Sequence, residues 1–234
     1  MLNAVLAGKR IGTGLECSQT QLEQARGAED VLTATIFERL SYLPDELFAS
    51  AMSALLGQQF GPLQGMEFWP FWRLPDGSGV EPDVLLEDGQ QVLLVEAKRH
   101  DWIRQQSAGQ LANELLAGWQ EQRLGDHTLL LTVGGMQDLS MESQQRLLAE
   151  VLALLPAGTG TRFTLICRSW QQLFAALQQV ITADAPSGCQ RLLDDIARCY
   201  AWHRLRTHTT QWLADMPATS ISLHPDAFAH WSRS

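Results

Sequence analysis

The segment 81–100, EPDVLLEDGQQVLLVEAKRH, leaves few ways for a chain like this to fold. Two short apolar runs flank Glu87-Asp88-Gly89-Gln90, and an Asp-Gly pair between apolar runs is the strongest short-range signal for a tight β-hairpin. The second run alternates. Val92, Leu94, Glu96 and Lys98 fall on one face of a strand, and Leu93, Val95 and Ala97 on the other. Closing the hairpin brings Asp83 back towards Glu96 and leaves Lys98 on the same face as Glu96. Two carboxylates and one ammonium at the end of an apolar ribbon are costly to place there without a use. A divalent cation provides one, because hard oxygen ligands with an open hydration shell suit magnesium.

The order of elements around this hairpin sets the fold class. Residues 28–43 read as a helix closed by Pro44, with Glu29, Leu32, Ile36 and Leu40 on one side and Glu38 opposite, facing solvent. A second short helix covers 45–56, and 57–65 is a loop. The aromatic run MEFWPFWRL is expected to be a strand interrupted by Pro70 at a sheet edge. PDGSG then turns the chain into the Asp83 strand, giving a three-stranded meander whose last strand carries Glu96-Ala97-Lys98. A helix over 105–123 follows, burying Leu111, Leu115 and Trp119 or Leu116. Next come a buried strand over 127–133, a helix over 141–155, a strand over 162–167 and a helix over 170–180. Strands and helices alternating after a meander describe an α/β protein with a mixed sheet and helices on its faces. A break at 184–188 precedes a last helix over 189–206. Trp69, Phe71 and Trp72 are sheet cover or a platform for stacked bases, the first being the commoner use of strand aromatics.

Composition narrows the classes. At 234 residues, with 45% hydrophobic and 18% charged, the chain suits one large α/β domain or a domain with a helical appendix. Its four cysteines lack CxxC or zinc-site spacing, which indicates reduced thiols in a cytoplasmic protein. The start, MLNAVLAGKR, has the wrong charge order for a signal peptide, and no apolar run approaches bilayer length. The net charge of −9 is uneven: residues 1–150 hold 10 Lys and Arg against 21 Asp and Glu, while residues 151–234 hold seven Arg against five Asp. Broad electrostatic adhesion to nucleic acid is excluded, so phosphate contacts must come from a local patch or a partner chain. One basic cluster, Arg198, His203, Arg204, Arg206 and His208 with Trp202 and Trp212 nearby, is either such a patch or a solvated helix end. GxSxG, HExxH and Gly-Lys-Ser/Thr are all missing, which removes the anchors of the common hydrolase, zinc-protease and P-loop readings.

At Pro82-Asp83 and Glu96-Ala97-Lys98, separated by an apolar hairpin, the chain resembles the PD-(D/E)XK nuclease superfamily. The resemblance implies a restriction-endonuclease-like αβββαβ core over 29–183. An N-terminal arm and helix (1–28) would precede it, and a C-terminal helix and tail (184–234) would pack on it. It implies a metal-dependent nuclease hydrolysing phosphodiester bonds, of DNA ahead of RNA, by analogy in a DNA-processing or anti-phage defence system. A catalytically inactive module of the same fold, binding nucleic acid or protein, is the alternative. Asp83 and Glu96 would hold Mg²⁺ or Mn²⁺ together with the backbone carbonyl of Ala97, and Lys98 would position the attacking water and stabilise developing charge. Glu29 would serve a second ion or orient water, or else merely complement its helix dipole. Gln110, followed by Leu111, matches a Gln-Leu element of many members, and its amide both donates and accepts. Arg99, His100 and Arg104, with Arg204 and Arg206, are the candidate nucleic-acid contacts. The acidic balance adds a protein partner or a second copy to the expected associates, and no membrane.

Overall fold

Serine, proline and glycine set the helix ends. The computed structural model describes residues 28–208, so the expectations for the N-terminal arm, Cys17, Trp212 and the tail lie outside the described residues. Helix α1 (Ala28–Leu40) opens the described chain. Its expected last turn instead tightens, with Tyr42 N–H donating to Arg39 O and Leu43 N–H to Leu40 O, before Pro44 starts α2 (Asp45–Leu56). Gly57, at φ 74°, ends α2 by donating its N–H to Ser53 O.

The aromatic run divides. Strand β1 (Gly65–Phe68) stops where Trp69 takes φ 48° before Pro70, and β2 (Trp72–Arg73) pairs instead with β3 (Gly79–Val80) in a separate two-stranded flap. Proline and the turned backbone before it prevent one continuous strand. Trp69 and Trp72 are buried and Phe71 is exposed, so two of the three aromatics serve the interior. The hairpin then forms as β4 (Val84–Glu87) and β5 (Val92–Ala97). Asp88 shapes its loop by accepting from the Gln90 and Gln91 N–H groups, with Gly89 at φ 84°. Helix α3 (Ala108–Gln120), capped by Ser107, carries the chain to β6 (Thr128–Val133). Helix α4 (Met141–Leu154) leads to β7 (Phe163–Arg168), α5 (Trp170–Val180) begins with a Ser169–Gln172 capping box, and α6 (Ser187–His203) follows.

The main sheet runs β1-β4-β5-β6-β7. β1, β4 and β5 are antiparallel, whereas β5, β6 and β7 are parallel, as strands joined through α3 and α4 can be. β1 lies at the edge, where the Pro70 signal places it. The alternation read in the sequence separates two cores. Leu93, Val95 and Ala97 pack with α1, α2, α5 and α6, while Leu94 packs with Leu85, Leu130 and the apolar sides of α3 and α4. The result is an α/β protein with a mixed central sheet flanked by helices.

One surface expectation fails. Glu38 is buried, at 7% exposure, rather than facing solvent. Helix α1 packs on the sheet with one side and on α6 with another, where Arg39 Nε donates to Asp195 Oδ2 at 2.7 Å. Only Glu29, Asp30 and Arg39 of α1 escape burial, and α6 lies along a side of the helix that periodicity alone leaves to solvent.

The chain leaves β6 through Gly134 and Gly135, both left-handed at φ 69° and 67°. A Cβ on Gly134 would stand 2.2 Å from the Lys98 carbonyl oxygen, so the β5 and β6 exits touch backbone to backbone. Gly158, at φ 86°, has open space instead. Gly134→Ala is expected to cost about 3 kcal/mol or more, from left-handed strain plus displacement of the Lys98 segment. Gly158→Ala is expected to cost only about 1–2 kcal/mol. Urea denaturation of both variants measures the difference.

Candidate metal centre

At the Val84↔Val95 register, one step further places Asp83 opposite Glu96. There β4 stops pairing, and Ala97 N–H would lose a partner on that side. Asp83 replaces the missing strand: its Oδ2 accepts from Ala97 N–H at 2.8 Å, while its own carbonyl accepts from Trp69 N–H at 3.0 Å. The N–H and C=O of one strand residue point to the same edge, so the Ala97 carbonyl also faces the Asp83 side. Asp83 and Glu96 are both buried, at 8% and 1% exposure.

Lys98 turns back along β5. Its Nζ lies 2.5 Å from Glu96 Oε1 and 3.4 Å from Glu29 Oε1. Glu29 Oε2 also accepts from Arg99 N–H at 2.8 Å, so the first turn of α1 holds both the ammonium and the backbone beyond it. From the opposite layer, Gln110 Nε2 donates to Glu96 Oε1 at 2.8 Å. Asp83, Glu96, Ala97, Lys98, Glu29 and Gln110 therefore meet at the end of β5. The rest of the support comes from segments far apart in the sequence. Gln106 Nε2 donates to the carbonyls of Glu96 and Gly134, and Trp170 Nε1 donates to Lys98 O at 2.7 Å. Asp101 caps α5 by accepting from Trp170 and Gln171 N–H.

The basic residues are distributed differently. Arg99 is buried, and His100 is half-buried with its ring 5.0 Å from that of Trp102. Arg104 is exposed and pairs with Glu150 of α4. His203, in the last turn of α6, is buried; burial, then the charges of Arg99 and His100, push its pKa down to about 3. The end of α6 therefore lies near the segment following Lys98. Arg204, which closes α6 at φ 60°, and the exposed Arg206 thus lie at the same end of the sheet as Arg99 and His100.

A third buried carboxyl escaped the reading of the sequence. Glu114, one turn beyond Gln110 on α3, is fully buried and accepts from Gln110 Nε2 at 2.9 Å. The signal was present in its position: Glu114 lies beside Leu111 on the side of the helix that also carries Leu115 and Gly118.

Electrostatically the centre lacks positive charge. Burial, reinforced by Glu96, raises the Asp83 pKa well above the usual carboxylate range, against the pull of the Ala97 N–H. Burial and then Glu114 push Glu96 up to about 8, with Lys98 opposing. Burial pushes Glu114 up to about 7, against the Gln110 hydrogen bond. Burial disfavours the Lys98 charge, but Glu96 and Glu29 outweigh it and hold the ammonium above its ordinary range. Among the described residues no set of three or more His, Cys, Asp or Glu side chains converges as a ready-made metal cage. The carboxyls nonetheless fit a hard cation chemically: Glu96 Oε2 and Glu114 Oε2 are buried and receive no donor from another residue, and a divalent ion would supply the missing charge.

Fold and site together describe an α/β protein with a carboxylate-rich centre at the end of its middle strand. The chain is 38% identical over 226 residues to Uncharacterized protein PM0110 of Pasteurella multocida (strain Pm70), covering 94% of this chain and 87% of that one. It belongs to the same family as that protein. No family model and no solved structure matches the chain. Among the described residues, no helix is long and apolar enough to cross a membrane.

The raised carboxyls give stability a pH dependence of definite sign. In the folded protein without metal, Glu96 and Glu114 keep protons that the unfolded chain releases near 4.5. Their contribution is fully present below that value and is lost as pH rises through about 7 and about 8. In EDTA the melting temperature is expected to fall between pH 5 and pH 8, and Glu114→Gln is expected to flatten the fall. Thermal melts across that range check it.

Proposed function

We propose that the protein is a metal-dependent nuclease of the PD-(D/E)XK type, hydrolysing phosphodiester bonds, with DNA ahead of RNA as substrate. The observation that carries the reading is the register of β4 on β5. It sets Asp83 opposite Glu96, turns the Ala97 carbonyl to the same edge and leaves Lys98 beside them. With α2 and the β2–β3 flap as insertions, the order α1, β1, β4, β5, α3, β6 is that of the αβββαβ core of the restriction-endonuclease-like fold, which supports the same reading.

In this reading Asp83, Glu96 and the Ala97 carbonyl hold Mg²⁺ or Mn²⁺. The bound ion supplies Lewis acidity, activating water at neutral pH and neutralising charge on the phosphate. Lys98, held by Glu96 and Glu29, orients the attacking water and stabilises the charge that grows on the phosphate oxygens. Gln110 fixes the Glu96 carboxylate from the helix layer, and Glu29 sets the height of Lys98 while anchoring Arg99 N–H. His100, Arg104, Arg204 and Arg206, with the Arg99 charge behind them, serve the nucleic-acid backbone. The net charge of −9 makes a protein partner or a second copy part of the proposal, as in a DNA-processing or anti-phage defence assembly.

A second reading, a catalytically inactive module of the same fold, is favoured by one observation: Lys98 and Gln110 already occupy Glu96 Oε1. Cleavage assays decide between them. Wild-type protein with Mn²⁺ is expected to cut supercoiled or linear DNA more readily than RNA, and Asp83→Asn or Lys98→Ala to lower the rate by about 10²-fold or more. Equal cleavage by wild type and both variants would sink the assignment. Manganese uptake with no cleavage of either nucleic acid would favour the inactive module.

A further inference from the structure

Glu114 has no part in the roles given so far, although it is among the most deeply buried charged side chains of the protein. Gln110 Nε2 lies 2.9 Å from Glu114 Oε1 and 2.8 Å from Glu96 Oε1. One nitrogen within reach of both carboxyls places them a few ångströms apart, one on α3 and one on β5. Each retains a second oxygen, Glu114 Oε2 and Glu96 Oε2, that is buried and receives no donor from another residue, and the two carboxyls lie within hydrogen-bond reach of each other. One neighbour adds to the imbalance. Gln106 Oε1 is likewise buried and unpartnered, while the Gln106 amide nitrogen holds the Glu96 carbonyl. Oxygens collected in a closed interior call for a donor or a cation, since each unmatched one costs about 1–3 kcal/mol.

We infer that Glu114 is a direct ligand of the divalent ion, with the cation held between Glu96 Oε2 and Glu114 Oε2 as well as by Asp83. The inference rests on the metal-centre reading and extends the centre from the sheet edge into the helix layer. Gln110 then acts as a positioning residue: by donating to the Oε1 atoms of both acids it leaves their Oε2 atoms aimed at the ion. A single proton shared by the two carboxyls would satisfy the same oxygens without any ion, so the test must separate a ligand from an acid.

Isothermal titration of Mn²⁺ into the full-length protein does so for wild type, Glu114→Gln and Asp83→Asn. Glu114→Gln removes the ionisable group and keeps the shape, so in EDTA it is expected to melt no lower than wild type. Its Mn²⁺ affinity is expected to fall tenfold or more, as is that of Asp83→Asn. Wild-type affinity in Glu114→Gln beside a loss in Asp83→Asn overturns the inference and leaves the metal centre standing. A wild type that takes up no Mn²⁺ overturns both. Manganese-soaked crystals of the wild type give an answer that does not depend on any variant folding. An anomalous peak bonded to the Glu114 carboxylate supports the inference; a peak bonded to Asp83 and Glu96 alone, with Glu114 still on Gln110, overturns it.

Discussion

The hydrogen bond from Ala97 N–H to Asp83 Oδ2 stands at the point where the sheet changes character. On one side β5 is antiparallel to β4, and on the other it runs parallel to β6, which continues beside it after β4 has ended. A buried backbone N–H left without its strand partner must find another acceptor. A carboxyl group takes the place of the missing strand, and this one substitution puts an ionisable acid inside the protein. Its neighbours are acids as well, each with its own donors: Lys98 and Gln110 on Glu96, and the Arg99 N–H on Glu29 of α1.

The support is built from backbone as much as from side chains. Gly134 and Gly135 let β6 leave against the Lys98 segment, Gln106 bridges the two strand exits, and Trp170 fixes the Lys98 carbonyl from the head of α5. Tyr200 of α6 in turn donates to the Trp170 carbonyl at 2.8 Å. Helices from both faces of the sheet thus converge on one strand end. This matters for chemistry because a side chain held by neighbours from several elements loses little freedom when it acts, whereas one on a free loop must be ordered each time.

The centre also stores a conflict. Three buried carboxyls, with Glu29 beside them, share one half-buried ammonium, and burial favours the neutral forms of the three. A fold selected for stability alone gains by replacing such groups with apolar ones of the same size. That they are present together, with oxygens left unmatched, is the physical ground for reading the site as one that binds something positive. In the proposed function a divalent ion there would reverse the local charge, so the acidic balance of the chain would not bar a phosphate ester.

Much was determined by sequence alone. Period-two alternation fixed which residues of β5 face which layer, Asp88-Gly89 fixed the hairpin, and the spacing of Asp83 from Glu96 followed from it. Pro44 and Pro70 fixed where α2 begins and where β1 ends. These signals are local, carried by a few residues through dihedral limits and side-chain direction. Tertiary structure alone decided the burial of Glu38, the placement of Glu114 beside Glu96, and the arrival of His203 against Arg99 and His100. Each depends on which helix lies over which, and that choice is made by packing between segments far apart in the chain. A glutamate on an apolar helix stripe looks the same in sequence whether it ends in water or in a core; only the layer packed above it settles which.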